Sequence, residues 1–149
     1  MEDRQETTVE AIQRLQRQYH VWALAHLGER AAWMPILAMI RWAGAMREAE
    51  EDSQQVWEEA VTGLTLNAFD LCTVLGEDAS QMWQCSTPNR DPWLTLFGGL
   101  SEEYLHIAHG VGADRVALLH KISKVFGRIM AVDEQVRCAR EWWDNRKEK

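Results

Sequence analysis

Apolar residues recur along this chain with a period near 3.6, and no segment alternates with a period of two, so the pattern predicts helices and no strand. The longest such stretch, Ser53 to Gly76 (SQQVWEEAVTGLTLNAFDLCTVLG), is apolar on nearly every side. A helix of that kind has to be surrounded by other helices. It is therefore the expected centre of an all-α bundle, with Ser53 as its N-cap and Gly76 just past its C-terminus. The other segments each offer one apolar stripe. Val9, Ile12, Leu15, Tyr19, Trp22 and His26 mark a first helix, capped by Thr7 or Thr8 and ended by Gly28. Ile36, Met39, Ile40, Ala43 and Met46 mark a second, with Pro35 in its first turn.

Beyond the centre, Asp78 is placed to cap a short helix, ASQMWQC, and STPNRDP (86–92) reads as a loop rich in turn formers. Asp91 and Pro92 open a further long helix, with Trp93, Leu96, Phe97, Leu100, Tyr104, Ile107 and Ala108 expected inward. Gly98–Gly99 inside it suggests a kink or a close helix crossing. After the break at GVG (110–112), Val116, Leu119, Ile122, Phe126 and Ile129 mark the next helix. Asp133 is placed to cap the last, with Val136, Ala139 and Trp143 inward. Residues 1–149 thus read as a single domain, a helical bundle of about five or six helices. The helix 33–49 with its successor echoes the helix 96–110 with its successor. Halves 20–90 and 91–149 therefore read as a degenerate tandem repeat of a helix-pair unit.

Charge and cysteine content narrow the function classes. The net charge is −7, which disfavours tight nonspecific binding to nucleic acid, so no nucleic-acid partner is expected. No apolar run reaches the roughly eighteen residues of a membrane span, so no membrane partner is expected either. The first ten residues, MEDRQETTVE, are acidic and polar, unlike a signal or transit peptide. Cys72, Cys85 and Cys138 form neither a disulfide framework nor a zinc pattern, and a cytoplasmic location with free thiols is expected. The eight Trp read as core fillers and interface anchors, or as stacking platforms for bases.

Candidate chemistry centres on Glu102, Glu103 and His106. Glu103 and His106 have the Glu-x-x-His spacing of di-iron bundles, but such bundles need two of these motifs and the chain has one. His106, His109 and His120 are a zinc alternative with no controlled spacing. An adjacent Glu pair on a helix is also simply a solvated surface. Asn89 and Arg90, in a loop before a helix start, suit contact with phosphate or ordinary turn chemistry.

One family resemblance emerges from these stretches. The run ALAHLGERAAWMPILAMI, the acidic junction Glu48–Glu59, then NAFDLCTVLGEDASQMW and NRDPW resemble the all-α nucleoside triphosphate pyrophosphohydrolases of the MazG type, over residues about 20–93. In that family a Glu-Glu-x-x-Glu helix and a Glu-x-x-Asp-type pair on the next long helix hold Mg²⁺, which grips a (d)NTP triphosphate for attack by water. Mg²⁺ suits such a site because it takes oxygen ligands in an octahedron. In the first half of this chain, Arg41, Trp42 and Ala45 stand where the first motif falls, and Gly63 stands where the Asp falls. Glu58 and Glu59 lie one turn earlier. In the second half Glu102 and Glu103 match the first two acids, His106 takes the third place, and Lys121 replaces the Asp.

The resemblance implies a composite Mg²⁺ site of Glu58, Glu59, Glu102 and Glu103, with His106 beside it and Asn89 or Arg90 on phosphate. The missing acids favour a catalytically degenerate descendant that binds a nucleotide or a protein partner through the old cleft. An active Mg²⁺-dependent (d)NTP pyrophosphohydrolase is the alternative, and a helical assembly protein with no small-molecule site is another. Family habit and the Trp-rich helix faces imply a homodimer.

Overall fold

The computed structural model describes residues 5–49, 54–112 and 114–147. Among them the chain is all-α, with seven helices and no strand: α1 Thr8–Leu27, α2 Trp33–Ala49, α3 Gln54–Val74, α4 Ala79–Cys85, α5 Trp93–Ala108, α6 Arg115–Met130 and α7 Arg137–Lys147. The short α4 stands as an element of its own. The expected cap at Ser53 and the acidic junction at 50–53 lie outside the described residues.

Local chemistry sets most helix ends. Thr7 and Glu10 close a capping box at α1: Thr7 N donates to Glu10 Oε1 at 3.0 Å and Glu10 N donates to Thr7 Oγ1 at 3.1 Å. Gly28, at φ +85°, ends that helix. At the end of α3, Glu77 N donates to Cys72 O at 2.8 Å and Gly76 N to Thr73 O at 3.0 Å. This Schellman closure puts Gly76 at φ +75°, where a side chain would be strained. Asp78 caps α4, Asp114 caps α6, and the Asp133 carboxylate accepts from Arg137 N and Cys138 N at 2.9 Å each. α5 opens where Asp91 and Pro92 place it. Its N-cap is Pro92, which has no side-chain bond to give.

α3 is the centre that its pattern predicts, packing against every other helix except α5. From Ala60 to Cys72 all its residues but Gly63 are buried. Its polar side chains tolerate this by bonding back onto the helix. Thr62, Thr65 and Asn67 donate to the carbonyls of Glu58, Val61 and Gly63 at 2.8, 2.7 and 2.7 Å. One end of the core is aromatic: Phe126 lies 5.8 Å from Phe69 and 5.5 Å from Trp83, centroid to centroid. α7 is locked to α1 by Arg14, which donates to both Glu6 and Asp144, and by Trp143 Nε1, which donates to Gln18 at 2.8 Å.

The stripe on α5 differs from expectation. Trp93, Leu96, Leu100 and Glu103 are buried, while Phe97 and Ala108 are exposed. Val116 of α6, also expected inward, is exposed as well. α5 packs on α2 and α6 only, so one narrow face is covered; Tyr104 and Ile107 pack half-buried at its edge, as expected, while Phe97 and Ala108 stay outside. The face of Gly99 in the Gly98–Gly99 pair receives the Lys121 side chain.

Candidate functional site

The cleft with the most organised lining lies where α1, α2, α3 and α7 meet, and has a volume of about 340 Å³. α1 supplies Tyr19 and Trp22, α2 supplies Trp42, α7 supplies Trp142 and Arg146, and α3 forms the floor with Glu59, Gly63 and Asn67. Trp42 lies flat against Gly63. A Cβ on that glycine would fall 2.3 Å from the indole, so only glycine lets the ring approach the helix backbone.

Polar groups of the cleft are oriented by one another. The Tyr19 hydroxyl donates to Asn67 Oδ1 at 3.3 Å, and the Asn67 amide donates to Gly63 O. Burial, with the nearby Asp70 charge, raises the Tyr19 pKa above the usual phenol value, so the group stays a donor. The Arg146 guanidinium sits 4.0 Å from the Trp22 ring centroid, with Trp142 at 5.2 Å and Trp143 at 5.7 Å. These rings position the cation through their π faces. No carboxylate is paired with it among the described residues. Its charge is therefore free to meet an anion.

Behind the floor is a buried ion pair that the sequence reading missed. Asp70, fully buried, accepts from Arg30 Nε at 2.9 Å and Nη2 at 2.6 Å on one oxygen. His20 Nδ1 lies 3.3 Å from the other oxygen. Arg30 comes from the α1–α2 link, so this pair fastens the link to the central helix. A signal did exist: Asp70 is the single charged residue between Glu59 and Glu77, and a charge inside an apolar helix needs a partner.

The sequence-derived metal residues are scattered. Glu58, at the start of α3, is 3.6 Å from Arg137. Glu59 is exposed at the edge of the cleft. Glu102 is exposed on α5, whereas Glu103 is buried rather than solvated. His106 Nδ1 is 3.9 Å from Glu103 Oε2, too far for a hydrogen bond. α3 and α5 make no contact, so the structure does not bring the Glu58–Glu59 pair to the Glu102–Glu103 pair within one chain. Among the described residues no three His, Cys, Asp or Glu side chains converge as a metal site, which also applies to the His106, His109 and His120 set.

Asn89 is committed to the fold instead of facing a phosphate. Its amide donates to Lys124 O at 3.0 Å, its Oδ1 accepts from Asp91 N at 3.1 Å, and its backbone N donates to Gly127 O at 3.0 Å. Gly127 is the seat for this loop: a Cβ there would fall 2.3 Å from Thr87 O. Arg90 remains exposed on the same loop. Cys72 and Cys138 are buried free thiols, both pushed up to about 12 chiefly by burial, so neither is a nucleophile at neutral pH.

No helix among the described residues is long and apolar enough to cross a membrane. No protein-family model, curated protein or solved structure matches the chain.

Proposed function

We propose that this chain is a non-catalytic nucleotide-binding bundle, a divergent relative of the MazG-type pyrophosphohydrolases whose carboxylate site has given way to an aromatic cleft. The observation that carries the reading is the pairing of Trp42 with Gly63 inside the 340 Å³ cleft. The resemblance puts Mg²⁺-binding acids at those two positions. An indole packed on a glycine makes an aromatic wall where metal ligands would stand.

The rest of the lining suits a nucleotide. Trp142 offers its ring to a base, a contact worth about 1–3 kcal/mol, and Trp42, seated on Gly63, lines the same cleft. Arg146 offers an uncompensated cation to phosphate, and the Glu59 carboxylate accepts from a base N–H. Glu59 alone is a poor Mg²⁺ site, because one carboxylate does not offset the cost of stripping water from that ion.

The test is a calorimetric titration with a panel of NTPs and dNTPs, run with Mg²⁺ and with EDTA, beside an assay for pyrophosphate release. The reading expects binding that EDTA leaves intact and no pyrophosphate. Release that EDTA stops would establish the active pyrophosphohydrolase instead. Absence of binding across the panel would leave the assembly protein.

A further inference from the structure

A second cavity, of about 580 Å³, opens between the end of α1 and α2. Leu27, Trp33, Leu37 and Ile40 give it apolar walls. Leu27, Trp33 and Leu37 remain 49%, 43% and 42% exposed, a large apolar surface to leave in water. Among the described residues its charged lining is two arginines, Arg30 and Arg41, with no carboxylate, although the chain carries a net charge of −7.

Both arginines have donors to spare. Arg30 is 4% exposed and spends Nε and Nη2 on Asp70, but among the described residues its Nη1 has only the Met34 sulfur, at 3.9 Å. Arg41 is exposed, lies 5.0 Å from the Trp42 ring centroid, and pairs with no carboxylate among the described residues.

We infer that this cavity binds an amphipathic monoanion, a carboxylate on a hydrocarbon chain. The chain lies on Leu27, Trp33, Leu37 and Ile40, and the carboxylate takes N–H groups from Arg41 and from Arg30 Nη1. The charge pattern selects against a cation and gives a neutral apolar molecule nothing for the arginines. A peptide fits poorly for a different reason. The walls are almost entirely helical, with their backbone groups already bonded, so a peptide would bury its own N–H and C=O groups without partners. A hydrocarbon chain has no such groups. The site is separate from the aromatic cleft, although Asn67 lines both.

The experiment is calorimetric titration of the full chain with dodecanoate below its micelle concentration, compared with dodecanol and dodecyltrimethylammonium. Dodecanoate should bind once per chain, and the other two at least about tenfold more weakly. Arg41→Gln, which spares the Arg30–Asp70 pair, should weaken dodecanoate about tenfold and leave dodecanol unchanged. Leu37→Asn should weaken every chain-bearing ligand. Trp142→Ala, in the other cleft, should change nothing. Equal affinity for dodecanol, or full affinity in Arg41→Gln, overturns the proposal. So does failure to bind dodecanoate, whether the protein sediments as a monomer or as a dimer that Leu37→Asn dissociates. The dimer result would assign this face to a second copy of the chain.

Discussion

Two helix pairs in this molecule are built on one scheme with different materials. In α2 and α3, Trp42 lies over Gly63; in α5 and α6, Lys121 lies over Gly99. A Cβ on Gly63 would fall 2.3 Å from the indole, whereas one on Gly99 would fall 3.2 Å from Lys121 Nζ. The first contact is against a rigid ring held in a wall of the bundle. The second is against the end of a flexible stem. The first pair includes the central helix and is backed by the buried Asp70–Arg30 ion pair. The second pair is peripheral, since α5 never touches α3. The cavities follow: about 340 Å³ with aromatic walls beside Gly63, and about 120 Å³ beside Gly99. A glycine facing a long side chain makes a shaped cleft only where that side chain and its backing cannot move.

The strongest way to break this contrast is to remove the backing. Asp70→Ala leaves Arg30 buried without its partner and should cost about 3–5 kcal/mol in urea denaturation. A loss below about 1 kcal/mol would mean that the α1–α2 link is not fastened through this pair. Gly63→Ala should cost about 1–3 kcal/mol, because its Cβ would fall 2.3 Å from the indole and drive the ring off its seat, and adding Trp42→Ala should recover part of the loss. Gly99→Ala is the matched control. Lys121 can swing aside and alanine favours the helix, so the net change should stay within about 0.5 kcal/mol. Equal losses for the two glycine variants would erase the distinction.

The smallest effect lies on the α1–α7 seam. The hydrogen bond from Arg14 holds the Glu6 carboxyl below the usual carboxylate range. A lowered folded pKa stabilises above the unfolded value of about 4.3, and that contribution is lost as pH falls through the folded value. Glu6→Gln should therefore cost about 0.5–1 kcal/mol at pH 7, with a gap from the parent protein that closes in acid. Chemical denaturation of both proteins from pH 7 downward checks this.

Helices and caps were legible in the sequence because they are local. Thr7, Asp78, Asp133, Gly28 and Gly76 all act within a few residues of where they stand. The all-round apolar pattern of α3 likewise points to the centre without knowledge of its neighbours. What failed depends on which face a neighbour covers. Phe97 and Val116 have helical spacing, but no helix packs on them closely enough to bury them. Glu103 is buried because its helix turns Trp93, Leu96 and Leu100 inward on the same face. The composite carboxylate cluster needed α3 and α5 to meet, a long-range fact that spacing does not carry. Asn89 resembles a phosphate contact by its place before a helix, yet its bonds go to α6 and to its own loop. The Trp42–Gly63 contact was half visible, since both positions stood out against the resemblance, but their apposition needed the fold.

The most direct test of the account is calorimetric titration of ATP and GTP into the protein in EDTA, beside Trp142→Ala and Glu102→Ala. The aromatic-cleft account predicts metal-free binding, weakened by about 1–3 kcal/mol in Trp142→Ala and untouched in Glu102→Ala. Binding that appears only with Mg²⁺ and disappears in Glu102→Ala would contradict it, and would return the function to a carboxylate-held metal.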